Sequence, residues 1–297
     1  MNTVITARGV TKRYHDVSAV DSVSFSVREN GIYGLLGRNG AGKTTLMQMV
    51  TGQLVASGGE LTVFGERPYE NAAVLSNICF IKESQRYPDG FKVRHVLDSG
   101  RILFPRWDDQ LARNLLRDFQ LPLGRGVKKL SRGMRSSLGI VIGLASRAPL
   151  TLFDEPYLGL DAVARQLFYD RLLADYSEHP RTVLLSTHLI DEVSDLIEHV
   201  LLIDRGRILL DEEADTLRGQ VLTVTGPSSA IDELTLGAHE LYRERMGALA
   251  RATVRGPLDS SERSRAESLG LDLTTTSLQQ LVVSITRSDA QPKETAQ

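Results

Sequence analysis

The chain holds few of the residues that staple or specialise a protein. A single cysteine, Cys79, stands among 297 residues, which excludes an intrachain disulfide and a four-cysteine zinc site. Set in the apolar run 77–81, it reads as a small buried hydrophobe. Neither sign of charge dominates: 35 Lys+Arg face 37 Asp+Glu, for a formal charge of −2. No overall field draws such a chain onto nucleic acid or anionic lipid, and no nucleic-acid partner is expected. Long apolar runs are missing too. The longest, Leu138 to Ala145, falls well short of the ~20 residues needed to cross a bilayer. The opening MNTVITARGV has no apolar core behind a basic start, so no secretory signal and a cytoplasmic location are expected. With 41% hydrophobic, 24% charged and 6% aromatic residues, what remains is an ordinary globular composition, long enough for roughly two domains.

Through about residue 215, short β-branched runs alternate with amphipathic stretches, the pattern of an α/β domain whose helices cover a mostly parallel sheet. Strands are expected at 4–10, 22–27, 32–36, 61–64, 77–81, 150–153, 182–186, 199–203 and 207–210, the first, second and fourth pairing in a small antiparallel layer. Helices are expected at 44–50, 93–104, 108–119, 132–145, 162–176 and 189–197. Three of them follow one another without an intervening strand, which predicts an inserted helical subdomain over about 85–146. Near Arg218 the pattern changes to Arg-Gly-Gln and a short strand at 221–224. A small α+β domain is therefore expected over 218–286, with a mobile tail at 287–297.

Gly37-Arg38-Asn39-Gly40-Ala41-Gly42-Lys43-Thr44 fits G-x-x-x-x-G-K-S/T, follows an apolar strand and opens a helix. Glycines let consecutive backbone N–H groups turn inward around phosphate oxygens, and the helix N-terminus adds partial positive charge. These residues, with Thr45, form the candidate phosphate loop; Lys43 reaches the β- and γ-phosphates and Thr44 binds Mg2+. The apolar strand 150–153 ends in Asp154-Glu155-Pro156. There Asp154 suits magnesium, and Glu155 suits polarising the water that attacks a γ-phosphate. Together the two motifs imply nucleotide hydrolysis.

A third motif narrows the class. Leu130-Ser131-Arg132-Gly133-Met134, just upstream of the acidic strand, resembles the LSGGQ signature of ATP-binding cassette (ABC) ATPases, with Arg132 and Met134 departing from it. A serine cap followed by glycine offers a hydroxyl and free N–H groups to an anion. The resemblance covers residues 1 to ~215 and implies that Ser131 and Gly133 contact the ATP held by the opposite subunit. A second ATPase subunit, a homodimer mate or a close paralogue, is then required. It further implies that Tyr14 stacks on adenine, that Asp161 in Leu158-Gly-Leu-Asp161 lies at the dimer seam or caps the next helix, and that His188 contacts the γ-phosphate. The family usually has a glutamine after the strand 77–81; Glu83 aligns with it and is the third candidate metal residue, with Gln85 as the alternative.

By the same resemblance, the fold is a P-loop ABC ATPase domain with an antiparallel layer, a helical insertion and a small accessory domain. The implied activity is ATP hydrolysis with Mg2+, powering a bacterial exporter. A separate transmembrane permease would be the partner, with this subunit peripheral on the cytoplasmic face of the membrane. The alternative is a soluble ABC ATPase acting on a cytoplasmic assembly, although neither a second cassette nor a long coiled-coil insertion is found. The basic cluster Arg125, Lys128, Lys129, Arg132 and Arg135 lacks interleaved aromatics and reads as a solvated face.

Overall fold

The structure is a computed structural model that describes residues 2–82, 85–235, 239–256 and 260–290. In chain order the elements begin β1 (Thr3–Tyr14), β2 (Val17–Arg28), β3 (Ile32–Leu36), α1 (Lys43–Val50), β4 (Gly58–Val63), α2 (Ala72–Leu75) and β5 (Ile78–Ile81). Next come α3 (Val93–Leu103), α4 (Asp109–Asp118), α5 (Arg132–Ala145), β6 (Leu150–Asp154), α6 (Ala162–Glu178), β7 (Thr182–Thr187), α7 (Ile190–Val193), β8 (His199–Asp204) and β9 (Arg207–Glu213). The remainder is α8 (Ala214–Gln220), β10 (Val221–Pro227), α9 (Ser228–Leu234), β11 (His239–Met246), β12 (Leu249–Arg255), α10 (Ser260–Ser268), β13 (Asp272–Thr275) and α11 (Leu278–Ala290).

Two compact units result: Met1–His188 with Leu196–Asp211, and Leu189–Asp195 with Glu212–Gln297. The first unit holds a three-stranded antiparallel sheet, order β2-β1-β4, and a six-stranded sheet, order β5-β6-β7-β3-β8-β9. Its β5–β6, β6–β7, β7–β3 and β3–β8 pairs are parallel. Strands β3, β6 and β7 are buried along their whole length, as sheet strands covered on both faces must be, and this is why their sequences, IYGLL, LTLFD and TVLLST, are mostly apolar rather than alternating. One core joins the small sheet (Val4, Val10, Val20) to α1 (Leu46, Met47) and to the large sheet (Leu35, Leu184, Leu201). The helical segment α3–α5 lies between β5 and β6 in sequence; helix α4 starts where the Asp108 side chain accepts from Leu111 N at 2.8 Å, an N-cap that satisfies one orphan donor.

Several expected boundaries move. The strands expected at 4–10 and 22–27 are each 12 residues long and meet at the turn His15–Asp16. The helix expected over 189–197 is a single turn, α7. Asp195 and Glu198 would have set negative charge against its C-terminal carbonyls, and the Glu198 carboxylate instead accepts from Ile32 N at 3.1 Å. The second compact unit takes in Glu212 onward, six residues before the expected 218, and within it Ala214 and Leu217 of α8 are buried. Helix α11 runs through Ala290, three residues into the tail expected to be mobile; residues 291–297 lie outside the described residues.

The second unit follows the connectivity β10-α9-β11-β12-α10-β13, with an antiparallel sheet ordered β11-β12-β10-β13. This is the split β-α-β arrangement of ferredoxin-like folds. Val224, Ile231, Ala252, Val254, Ala266 and Leu271 fill its core.

Candidate active site

Parallel strands deliver the site. In the sheet, β7 lies between β6 and β3, and the register sets Asp154 opposite Ser186 and Thr187 opposite Leu36. The segments that follow these strands, Gly37 onward, Glu155 onward and His188 onward, therefore leave at one edge. This carboxyl edge is where open α/β sheets bind ligands.

At that edge the 37–42 loop runs into α1. Gly42 has φ +110°, and a Cβ there would come within 2.5 Å of the Ala19 carbonyl oxygen, so only glycine fits this left-handed position. Lys43 is folded inward at 6% exposure. Its Nζ donates to the carbonyls of Gly37 at 2.7 Å and Arg38 at 3.2 Å and pairs with Glu155 Oε1 at 3.4 Å. A cavity of ≈ 220 Å³ is lined by Ala19, by residues 38–45 and by Glu155. Thr44 Oγ1 donates to Asp154 Oδ2 at 2.8 Å, while Ser186 Oγ donates to Asp154 Oδ1 at 2.7 Å. Both oxygens of this buried carboxylate are thus held.

Glu155 is 7% exposed and sits at φ +49°, a backbone region few non-glycine residues occupy and a recurrent feature of functional sites. Its N–H donates to Ser186 Oγ at 3.1 Å. Its Oε2 accepts from the Tyr157 hydroxyl and lies 2.8 Å from His188 Nδ1. Because a carboxylate has no proton to give, Nδ1 carries the hydrogen in that contact. Oε1 is buried and has no hydrogen-bond partner among the described residues; the Lys43 ammonium is the charge facing it. Burial, then the neighbouring Glu155, pushes the Tyr157 phenol well above its usual pKa, so it remains a donor.

Ser131 caps α5 by accepting from Met134 N at 3.1 Å, and Asp161 caps α6 by accepting from Ala164 N at 2.8 Å. Ser131, Gly133 and Asp161 line a common cavity of ≈ 350 Å³. It shares no lining residue with the cavity at the phosphate loop. Gly133 sits against the Gly159 backbone oxygen, which a Cβ would strike. Tyr14 stands 42% exposed at the end of β1 with Lys12 Nζ 5.3 Å from its ring centre, outside the lining of the phosphate cavity. Gln85 lines a third cavity with Lys82, Arg86, Arg132 and Arg135, whereas Glu83 lies outside the described residues. Residues not singled out from sequence also enter: Ala19, Tyr157, Ser186 and Thr187. For Tyr157, Ser186 and Thr187 a usable signal existed, since each is a polar residue within two positions of a candidate catalytic one.

The profile described as ABC transporter matches residues 20–158, and one described as AAA domain, putative AbiEii toxin, Type IV TA system, matches 125–194. The chain is 30% identical over 221 residues to the bacitracin transport ATP-binding protein BcrA of Bacillus licheniformis, covering 73% of this chain and 72% of BcrA. It is 31% identical over 255 residues to the Nod factor export ATP-binding protein I of Burkholderia orbicola, covering 81% and 82%. The chain belongs to the ABC transporter ATP-binding protein family. As a member it binds ATP and is an ABC transporter ATPase. Another relative is the ABC transporter ATP-binding protein YtrB of Bacillus subtilis, 24% identical with 74% and 76% covered. A solved ATP-binding subunit of an ABC transporter superposes with TM-score 0.66 at 23% identity, over 73% of this chain and 92% of that one. A bacterial Atm1-family ABC exporter with ATP bound gives 0.61 at 20% identity, over 73% and 40%. These structural likenesses bear on the α/β ABC ATPase fold, with its antiparallel layer, helical insertion and small C-terminal sheet.

Proposed function

We propose that this ABC ATPase powers an exporter through a separate membrane-spanning permease, with Glu155 as the general base for hydrolysis. The observation that carries the catalytic part is the convergence of Lys43, Thr44, Asp154, Glu155 and His188 at one sheet edge. Lys43 exchanges its carbonyl and Glu155 contacts for the β- and γ-phosphates, which frees the Glu155 carboxylate to take a proton from the attacking water. His188, 38% exposed in its side chain, reaches the γ-phosphate side, and Tyr14 offers its flat face to adenine.

The donor set suits magnesium. One buried carboxylate, Asp154, lies beside the loop hydroxyl of Thr44, and no group of three or more His, Cys, Asp or Glu occurs among the described residues. Magnesium takes few protein ligands and completes its shell with phosphate and water. When bound, it would neutralise charge on the β- and γ-phosphates.

Ser131, Gly133 and Asp161 line a different cavity from the phosphate loop of their own chain, which supports a second ATPase subunit bringing its signature loop to this ATP. Export is supported by the Bacillus licheniformis and Burkholderia orbicola relatives. Among the described residues no helix is long and apolar enough to cross a membrane, so a permease partner would hold this subunit on the cytoplasmic face.

The test is Glu155→Gln. Removal of a general base costs about 10²–10⁴-fold in rate, and the variant is expected to accumulate as an ATP-bound dimer in size-exclusion chromatography. Turnover equal to wild type would remove Glu155 from the role. Purified with ATP from gently extracted membranes, the variant is expected to bring a multi-span protein with it; recovery only with soluble assemblies would overturn the exporter reading.

A further inference from the structure

Tyr157 is one of the largest fully buried side chains in the protein, at 1% exposure, and hydrolysis as described above gives it no task. Its hydroxyl nevertheless meets four groups. It contacts Glu155 Oε2, Thr187 Oγ1 at 2.7 Å, the His188 backbone N at 3.0 Å and His188 Nδ1 at 3.3 Å.

Proton accounting fixes the directions. A phenol has one hydrogen; an ionised carboxylate only accepts, and a backbone N–H only donates. The phenol therefore donates to Glu155 and accepts from His188 N–H, which leaves Thr187 as the donor in its own contact. His188 Nδ1–H donates to the same Oε2 at 2.8 Å. Tyr157, Glu155 and His188 form a closed triangle, tied through Thr187 to the end of β7.

We propose that Tyr157 is a positioning residue that holds the Glu155 carboxylate and the His188 ring as one unit, so that hydrolysis depends on its hydroxyl although it touches no nucleotide. The inference rests on Glu155 being the base. Two observations make such support necessary. Glu155 leaves its strand in a left-handed conformation, φ +49°, so an ordinary strand backbone does not set its direction. Its other oxygen, Oε1, has no hydrogen-bond partner among the described residues and faces Lys43, which the phosphates will claim. The Oε2 contacts are then what keeps the carboxylate aimed, and displacements of about 1 Å at a reacting group cost on the order of 100-fold in rate.

The experiment is Tyr157→Phe, which keeps the ring and removes the hydroxyl, assayed as steady-state ATPase beside wild type, Glu155→Gln, His188→Ala and the Tyr157→Phe/His188→Ala double variant. Expected are a fall in kcat of about 10- to 100-fold, with KM for ATP and binding of a non-hydrolysable analogue changed less than about twofold. In the His188→Ala background the same substitution should cost only a fraction of that, because the unit is already broken. Wild-type kcat in Tyr157→Phe, a raised KM with kcat intact, or the same fold-loss in both backgrounds would overturn the proposal. Should Tyr157→Phe not fold, Thr187→Val removes a donor to the phenol and keeps the ring; a lowered kcat at constant KM supports the inference, and an unchanged kcat overturns it. The two readings fail separately: an active Glu155→Gln removes the base, whereas an inert Glu155→Gln beside a fully active Tyr157→Phe removes only the role of Tyr157.

Discussion

Replacing Asp175 by alanine would strand a buried cation in the ATPase unit. Asp175, near the end of α6, and Arg181, just before β7, each have side chains only 4% exposed, and Arg181 Nη1 meets Asp175 Oδ2 at 2.5 Å. Arg147 approaches the other carboxylate oxygen at 3.1 Å and also pairs with Asp108 at 3.0 Å. Arg147 thus keeps a partner when Asp175 is lost. For Arg181, Asp175 is the acidic partner, and its Nε and Nη2 already lack hydrogen-bond partners among the described residues. Removing one member of a buried pair costs about 3–5 kcal/mol, because the remaining charge stays desolvated. At about 2–4 °C per kcal/mol for a domain of 150–250 residues, the melting temperature should fall by roughly 6–20 °C. Thermal unfolding followed by circular dichroism, without nucleotide, measures it. The companion variant Asp175→Ala/Arg181→Met removes both charges and should recover most of the loss, since replacing a whole buried pair by apolar groups is often neutral. A single variant that melts within about 2 °C of wild type, or a double variant no better than the single, would refute the reasoning.

Gly133→Ala drives a methyl group into the Gly159 backbone oxygen and should part the signature helix from the loop that carries Asp161. Overpacking of this kind costs about 1–3 kcal/mol of folding stability, so the melting temperature should fall by roughly 2–12 °C and ATPase activity should drop, while equilibrium binding of ATP at the separate phosphate-loop cavity stays near wild type. Cys79 is buried, and desolvation pushes its thiol up to about 12. Since the thiolate is the reactive form, a thiol reagent at pH 8 should label the protein only after denaturation. The sign is that of an acid whose pKa is raised by folding: its contribution to stability is whole below the unfolded value of about 8.5 and is lost as pH climbs toward about 12. Rapid labelling of the native protein would contradict its burial.

The placement of Lys43, Thr44, Asp154, Glu155 and His188 at one sheet edge was legible because the motifs that carry them are short and contiguous. The phosphate loop, the Asp154-Glu155 pair and the His188 position each follow a short, largely apolar run that forms a buried strand. The helical insertion was legible from three amphipathic stretches without a strand between them. Composition changes at Arg218, whereas the division into compact units falls at Glu212, a difference that no residue type marks in the sequence. The strand order of the second unit was not legible at all: its short strands differ little in hydrophobicity, and pairing β10 with both β12 and β13 depends on crossovers that leave no local signature.

The Tyr157 contacts show where reading along a chain stops. In the sequence Glu155 and Tyr157 are two apart, whereas Thr187 and His188 lie about thirty residues further on, and only the parallel pairing of β6 with β7 brings them together. The register decides the outcome. With Asp154 opposite Ser186, that serine reaches both the Asp154 carboxylate and the Glu155 N–H, and the next two residues of β7 and its loop fall beside Glu155 and Tyr157. A slip of one residue would turn every side chain of β7 to the opposite face and take Ser186 away from the buried Asp154 carboxylate that it holds. The core apolar pattern of β7 does not forbid that slip, because the strand is buried on both faces. The polar contacts at its end therefore do two things at once: they assemble the proposed hydrolytic site, and they select the register that the apolar residues leave open.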